Sequence, residues 1–100
     1  MNDNKNKLPP MERIRRMIEL GAPVGDAIRI ILGGSIPRWA AKHEIARQTA
    51  TMSVTGKRVP PDARTVAALV ADLQASEPEV RELLGRSAKT AIDHSLATAS

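Results

Sequence analysis

The sequence predicts an all-α domain, and three observations predict it. Apolar residues recur at helical spacing in one segment after another, as in Val66, Leu69, Val70 and Leu73, which puts them on one face of a helix. No stretch alternates apolar and polar residues with the period that a half-buried strand requires. The 100 residues include no Phe, no Tyr and a single Trp, so the core must be Ile, Leu, Val, Met and Ala, the palette of a small helical protein.

Each element follows from its own residues. The first nine positions are polar and end at Pro9-Pro10, which reads as a flexible arm. MERIRRMIEL then sets Met11, Ile14, Met17 and Ile18 on one side and Arg13, Arg15 and Arg16 elsewhere, a short amphipathic helix that stops at Gly21. A second helix runs from about Val24 to Leu32 and ends at Gly33-Gly34. Ser35 is an N-cap for a helix over Ile36 to His43, with Pro37 in the tolerated first turn and Trp39, Ala40 and His43 on one face.

After the brief turn Glu44-Ile45 comes a polar stretch, RQTATMSVT. As a helix it turns Ala46, Ala50, Ser53 and Val54 one way and Arg47, Gln48, Thr51, Met52 and Thr55 the other. Gly56 to Pro60 form a loop, a strong helix begins near Pro61-Asp62, and Ser76-Glu77-Pro78-Glu79 is a capping box. The capping box opens a short helix with Val80, Leu83 and Leu84 inward, closed near Gly85, and the weakly patterned residues 86–100 read as a flexible tail, with a marginal helix as the alternative.

Charge is distributed unevenly. The net charge is +4, yet Ile36 to Arg58 holds five bases against one acid, whereas Asp62 to Leu84 holds two bases against five acids. One part of the surface is therefore suited to an anion and the next is not. There are no cysteines, which excludes disulfides, thiolate nucleophiles and cysteine-ligated metals and fits a reducing compartment. The start lacks the apolar core of a signal peptide and no apolar run approaches about 18 residues, so a cytoplasmic protein with no membrane contact is expected.

Two short helices joined by a tight turn, then Gly56-Lys57-Arg58-Val59-Pro60, then a long apolar-faced helix resemble the lambda-repressor and Cro-like helix-turn-helix family. The match covers about Val24 to Leu84 and rests on Ser35, Ala40, Ile45, Ala50 and Gly56, whose spacing follows the family pattern without gaps. The resemblance implies a five-helix DNA-binding domain over residues 10–85 with its helix-turn-helix at about 36–55, the second motif helix entering the major groove. Carried over by position, Arg47 and Gln48 are the main base readers, with Thr51 and Met52 one turn further on. Arg can fork onto guanine, Gln onto adenine, and Met52 suits a thymine methyl. Arg38, Lys42, Thr55, Lys57 and Arg58 are the expected phosphate contacts. Four positions depart from the family habit of Gln, Gly, Ser or Thr, and Asn: Ile36, Glu44, Ala46 and Thr55 stand there instead.

The expected function is that of a sequence-specific transcriptional regulator, a repressor of phage or mobile-element type. It would bind a palindromic operator as a homodimer and be nucleoid-associated when bound, since one short reading helix covers few base pairs. Val80, Leu83 and Leu84 are the candidate dimer interface. The alternative is a small helical interaction module, an antitoxin or anti-activator, docking through the Met11 to Ile18 helix or the acidic end. A non-specific nucleoid binder is a third reading.

Catalysis is not expected, because no nucleophile, base and orienting group occur together. No cofactor, metal or small-molecule ligand is expected either. Gly56-Lys57 lacks the upstream glycine of a phosphate loop, and Glu77, Glu79 and Glu82 sit where acids favour a helix start. Trp39 and His43 read as core residues, and His94 lies in the weakly patterned tail.

Overall fold

A computed structural model describes the backbone of residues 8–99 and the side chains of residues 8–89. Six helices appear: α1 (Pro10–Glu19), α2 (Val24–Ile31), α3 (Ile36–Lys42), α4 (Arg47–Thr55), α5 (Ala63–Leu73) and α6 (Glu77–Ala99). No strand occurs among the described residues. The all-α expectation is met, with six helices in place of five. The member beyond the five that the resemblance implies is α1, the amphipathic helix read from the sequence, whose Met11 and Ile14 are buried and so belong to the common core.

Local chemistry explains most boundaries. Ser35 caps α3 by accepting the Arg38 amide, and Asp62 caps α5 by accepting the Thr65 amide at 3.0 Å. Ser76 and Glu79 form the reciprocal capping box, Ser76 N donating to Glu79 at 2.9 Å and Glu79 N donating to the Ser76 hydroxyl at 3.3 Å. Arg15 of α1 reaches the same Glu79 at 3.1 Å and ties the first helix to the start of the last.

The core joins Ile14, Ile28, Val54, Val66, Leu69, Leu73 and Leu84, all with almost no exposure. α3 packs chiefly on α4, α1 on α2, and both α4 and α5 on α6. α6 thus lies under α4 as well as under α5.

One boundary differs from the sequence reading. α6 does not close near Gly85 but continues to Ala99, so the segment expected to be a flexible tail is helical through position 99. The continuation past Gly85 has a tertiary anchor: Ser87, two residues beyond the expected stop, is buried and donates its hydroxyl to the Val54 carbonyl at 2.7 Å. The arm expected over residues 1–9 falls largely outside the described residues, although Pro9 already belongs to the start of α1, accepting the Arg13 amide at 3.1 Å. The side chain of His94 lies outside the described residues. No described helix is long and apolar enough to cross a membrane.

Candidate nucleic-acid interface

The turn between α3 and α4 sets the site. α3 ends at His43, Glu44 takes a left-handed conformation with φ 56°, and buried Ile45 donates its amide back to the Ala40 carbonyl at 2.9 Å. A residue with a Cβ costs about 1–2 kcal/mol in that conformation. α4 then starts at Arg47 with Ala46 as its N-cap, and Ala46 offers no side-chain cap. Ala46 is exposed, not turned inward with Ala50 as its spacing suggested, because the N-cap residue precedes the helical geometry that would carry it round.

Ala50, Ser53 and Val54 form the buried face of α4. Ala50 is small enough to let α4 sit close to α3, and the Ser53 hydroxyl accepts the Asp62 amide at 3.0 Å. On the opposite side Arg47 and Gln48 are exposed, whereas Thr51, Met52 and Thr55 are half-buried. The expected base readers therefore share one face, with the two longest polar side chains outermost, at the N-terminal end of the helix. Thr55 turns its hydroxyl back to the Thr51 carbonyl at 2.8 Å. That hydroxyl hydrogen is committed within the helix.

The far end of α4 is closed by Gly56 in a left-handed conformation, φ 84°. The Met52 carbonyl accepts the amides of Lys57 at 2.9 Å and Arg58 at 3.1 Å, a C-cap that turns the chain sharply. The side chains of Lys57 and Arg58 are thereby held exposed just past the helix. Arg38 and Lys42 are exposed on α3, so four of the five expected phosphate contacts are exposed cations on the segments flanking α4. Arg58 has one distant acidic neighbour, Asp62 at 3.9 Å.

Val80, Leu83 and Leu84 are not an accessible face. Their exposures are 0%, 3% and 2%, so they are spent on the chain's own core and the candidate dimer interface built from them is withdrawn. The apolar periodicity that marked them is that of an ordinary core-facing helix stripe.

A polar cluster that sequence reasoning missed lies on the other side of α3. One carboxylate oxygen of Asp72 in α5 accepts the indole N–H of buried Trp39 at 2.6 Å and stands 2.9 Å from His43 Nε2. The two rings lie 4.9 Å apart, centre to centre. Partial burial raises the Asp72 pKa, but the hydrogen bonds from Trp39 and His43 and the nearby charges of His43 and Lys42 outweigh it. The carboxyl ends up below its ordinary value. This cluster pins α3 to α5 and is half-exposed. Among the described residues no group of His, Cys, Asp and Glu could hold a metal ion.

Comparison of the chain with protein-family models, with curated proteins and with solved structures finds no significant match to any of them.

Proposed function

We propose that the protein binds double-stranded DNA in a sequence-specific manner and regulates transcription, as a repressor of phage or mobile-element type. α4 would lie in the major groove with Arg47 and Gln48 on base edges and Thr51 and Met52 beside them. The observation that carries this reading is the α3–α4 pair itself: a turn with Glu44 in a left-handed conformation, a helix whose inner face is Ala50, Ser53 and Val54, and an outer face led by Arg47 and Gln48. The exposed cations Arg38, Lys42, Lys57 and Arg58 on either side would meet phosphates, whereas Thr55 could do so only by giving up its bond to the Thr51 carbonyl.

Two copies would be needed for specific affinity at physiological salt, on half-sites about 34 Å apart from centre to centre. With Val80, Leu83 and Leu84 buried in the monomer, a pairing surface must use other residues.

A second reading, a helical interaction module, is favoured by one observation. Leu20, just after α1, is 88% exposed and Ile30 of α2 is 49% exposed. Selection of bound sequences from a random duplex library separates the readings. The DNA reading expects a palindromic motif preferred at least about a thousandfold over scrambled duplex. Equal binding to every duplex would make the protein a non-specific nucleoid binder, and no binding at low salt would leave the interaction module.

A further inference from the structure

A cavity of about 470 Å³ opens between the start of α2, the start of α3 and the second half of α4, within the size range of small-molecule sites. Its walls are mostly apolar, built from Pro23, Ile36, Pro37 and Val54, with the bare backbone of Gly25 and Gly34 leaving room between them. The polar groups at its edge are largely satisfied. Thr55 donates to Thr51, and Ser35 accepts the Arg38 amide.

Arg29 is held loosely, with Asp26 of the same lining as its distant acidic neighbour. Its guanidinium makes only long contacts, 3.3 Å to the Gly34 carbonyl and 3.9 Å to Asp26, and its side chain is 45% exposed. An arginine so placed exchanges these contacts for a bidentate carboxylate at small cost. Asp26, the acid of the same lining, is 56% exposed and is the 3.9 Å partner of Arg29, so a ligand carboxylate would take its place on the guanidinium while Asp26 turns to solvent.

The geometry points to a binding site for a small monocarboxylate with an aliphatic body, the carboxylate on Arg29 and the chain against Ile36, Pro37 and Val54. Thr51 and Thr55 line the same cavity and belong to the polar stripe of α4. An occupant therefore lies against the polar stripe of the proposed reading helix and couples to DNA binding, a consequence that rests on the function proposed above.

The test is a titration of the full chain, without DNA, by straight-chain carboxylates from butanoate to decanoate and by the matching 1-alkanols, followed through backbone amide shifts. Saturable shifts at Gly25, Gly34, Ile36 and Val54 are expected, with carboxylate affinity rising up to about fourfold per added methylene until the cavity is full. Arg29→Gln should weaken carboxylates at least about tenfold and leave alkanols unchanged, and Arg29→Lys should restore part of the loss. No saturable shift at these amides for any member overturns the site. Alkanols binding as tightly as carboxylates, or an equal loss of both in Arg29→Gln, overturns the assignment of a carboxylate. A saturating carboxylate should also weaken duplex binding; unchanged duplex affinity overturns the coupling alone, and absence of any duplex binding overturns the coupling and the DNA reading while leaving the site standing.

Discussion

Gly56 at the end of α4 lies so close to Ala88 of α6 that a Cβ built on it would stand 2.5 Å from the Ala88 amide nitrogen and Cα. The contact is backbone against backbone, so no side-chain rotation can relieve it. Gly56 is constrained a second time by its φ of 84°, a region where a Cβ costs about 1–2 kcal/mol. Gly56→Ala should therefore lose about 3 kcal/mol or more, the sum of backbone strain and overpacking. Urea unfolding followed by circular dichroism measures it; a loss below about 1 kcal/mol would mean that α4 and α6 do not meet in this way.

Glu44 presents the opposite case. Its φ of 56° is left-handed, yet its side chain is exposed and its place in the turn is fixed by backbone bonds on both sides. Glu44→Gly should remove the strain and give back part of the gain through the greater freedom of the unfolded chain, a net stabilisation of up to about 1 kcal/mol. A rise in Tm of several degrees is the expected reading for a domain of this size.

The same comparison shows where sequence was a sufficient guide. α2 to α5 were legible because apolar spacing and punctuation agree: Gly33-Gly34 stops one helix, Ser35 and Asp62 cap two others, and Gly56 ends α4. The stripe on α4 was legible because small inner residues leave Arg47 and Gln48 outside. What was not legible depends on partners distant in the chain. Ser87 is held by Val54, 33 positions away, and His43 by Asp72, 29 away. Nothing in the weakly patterned residues after Gly85 announces a helix, because that helix is stabilised by what it rests on. Val80, Leu83 and Leu84 could equally have faced a second chain, since an apolar stripe does not say which core it enters.

Gly85 was read as a stop and instead lies inside α6, exposed and with nothing within 4 Å of the position its Cβ would occupy. Its only contribution is the freedom of its backbone. Gly85→Ala should stabilise the protein by about 0.5–1 kcal/mol and raise helix content, measurable as a shift of the urea midpoint. If the helix in fact ended at Gly85, the substitution would destabilise it.

Asp72 fixes a direction of pH dependence. Its folded pKa lies below the ordinary value, so its contribution is fully present above the unfolded pKa and is lost as pH falls through the folded one. The window lies below about pH 4. In that window the natural protein should lose stability more steeply than Asp72→Asn, which carries no charge to lose but still offers Trp39 an acceptor. Asp72→Ala should cost about 1–3 kcal/mol at neutral pH, because the indole N–H of a residue only 4% exposed loses its acceptor. Parallel acid titrations of the two proteins would be superimposable if the carboxylate were not held by Trp39 and His43.

The proposed reading helix makes the most demanding prediction. Arg47 and Gln48 are exposed, so Arg47→Ala with Gln48→Ala should leave the far-ultraviolet spectrum and the urea midpoint almost unchanged. Against the duplex selected from a random library, each substitution should cost about 1–3 kcal/mol of binding and relax the sequence preference at the base it contacts. Lys57→Ala should behave differently. As a phosphate contact it should weaken binding to all duplexes alike and reduce the log-log salt slope by about 1, with no change in preferred sequence. A double variant that still discriminates the selected duplex from a scrambled one would place readout elsewhere and remove α4 from the groove.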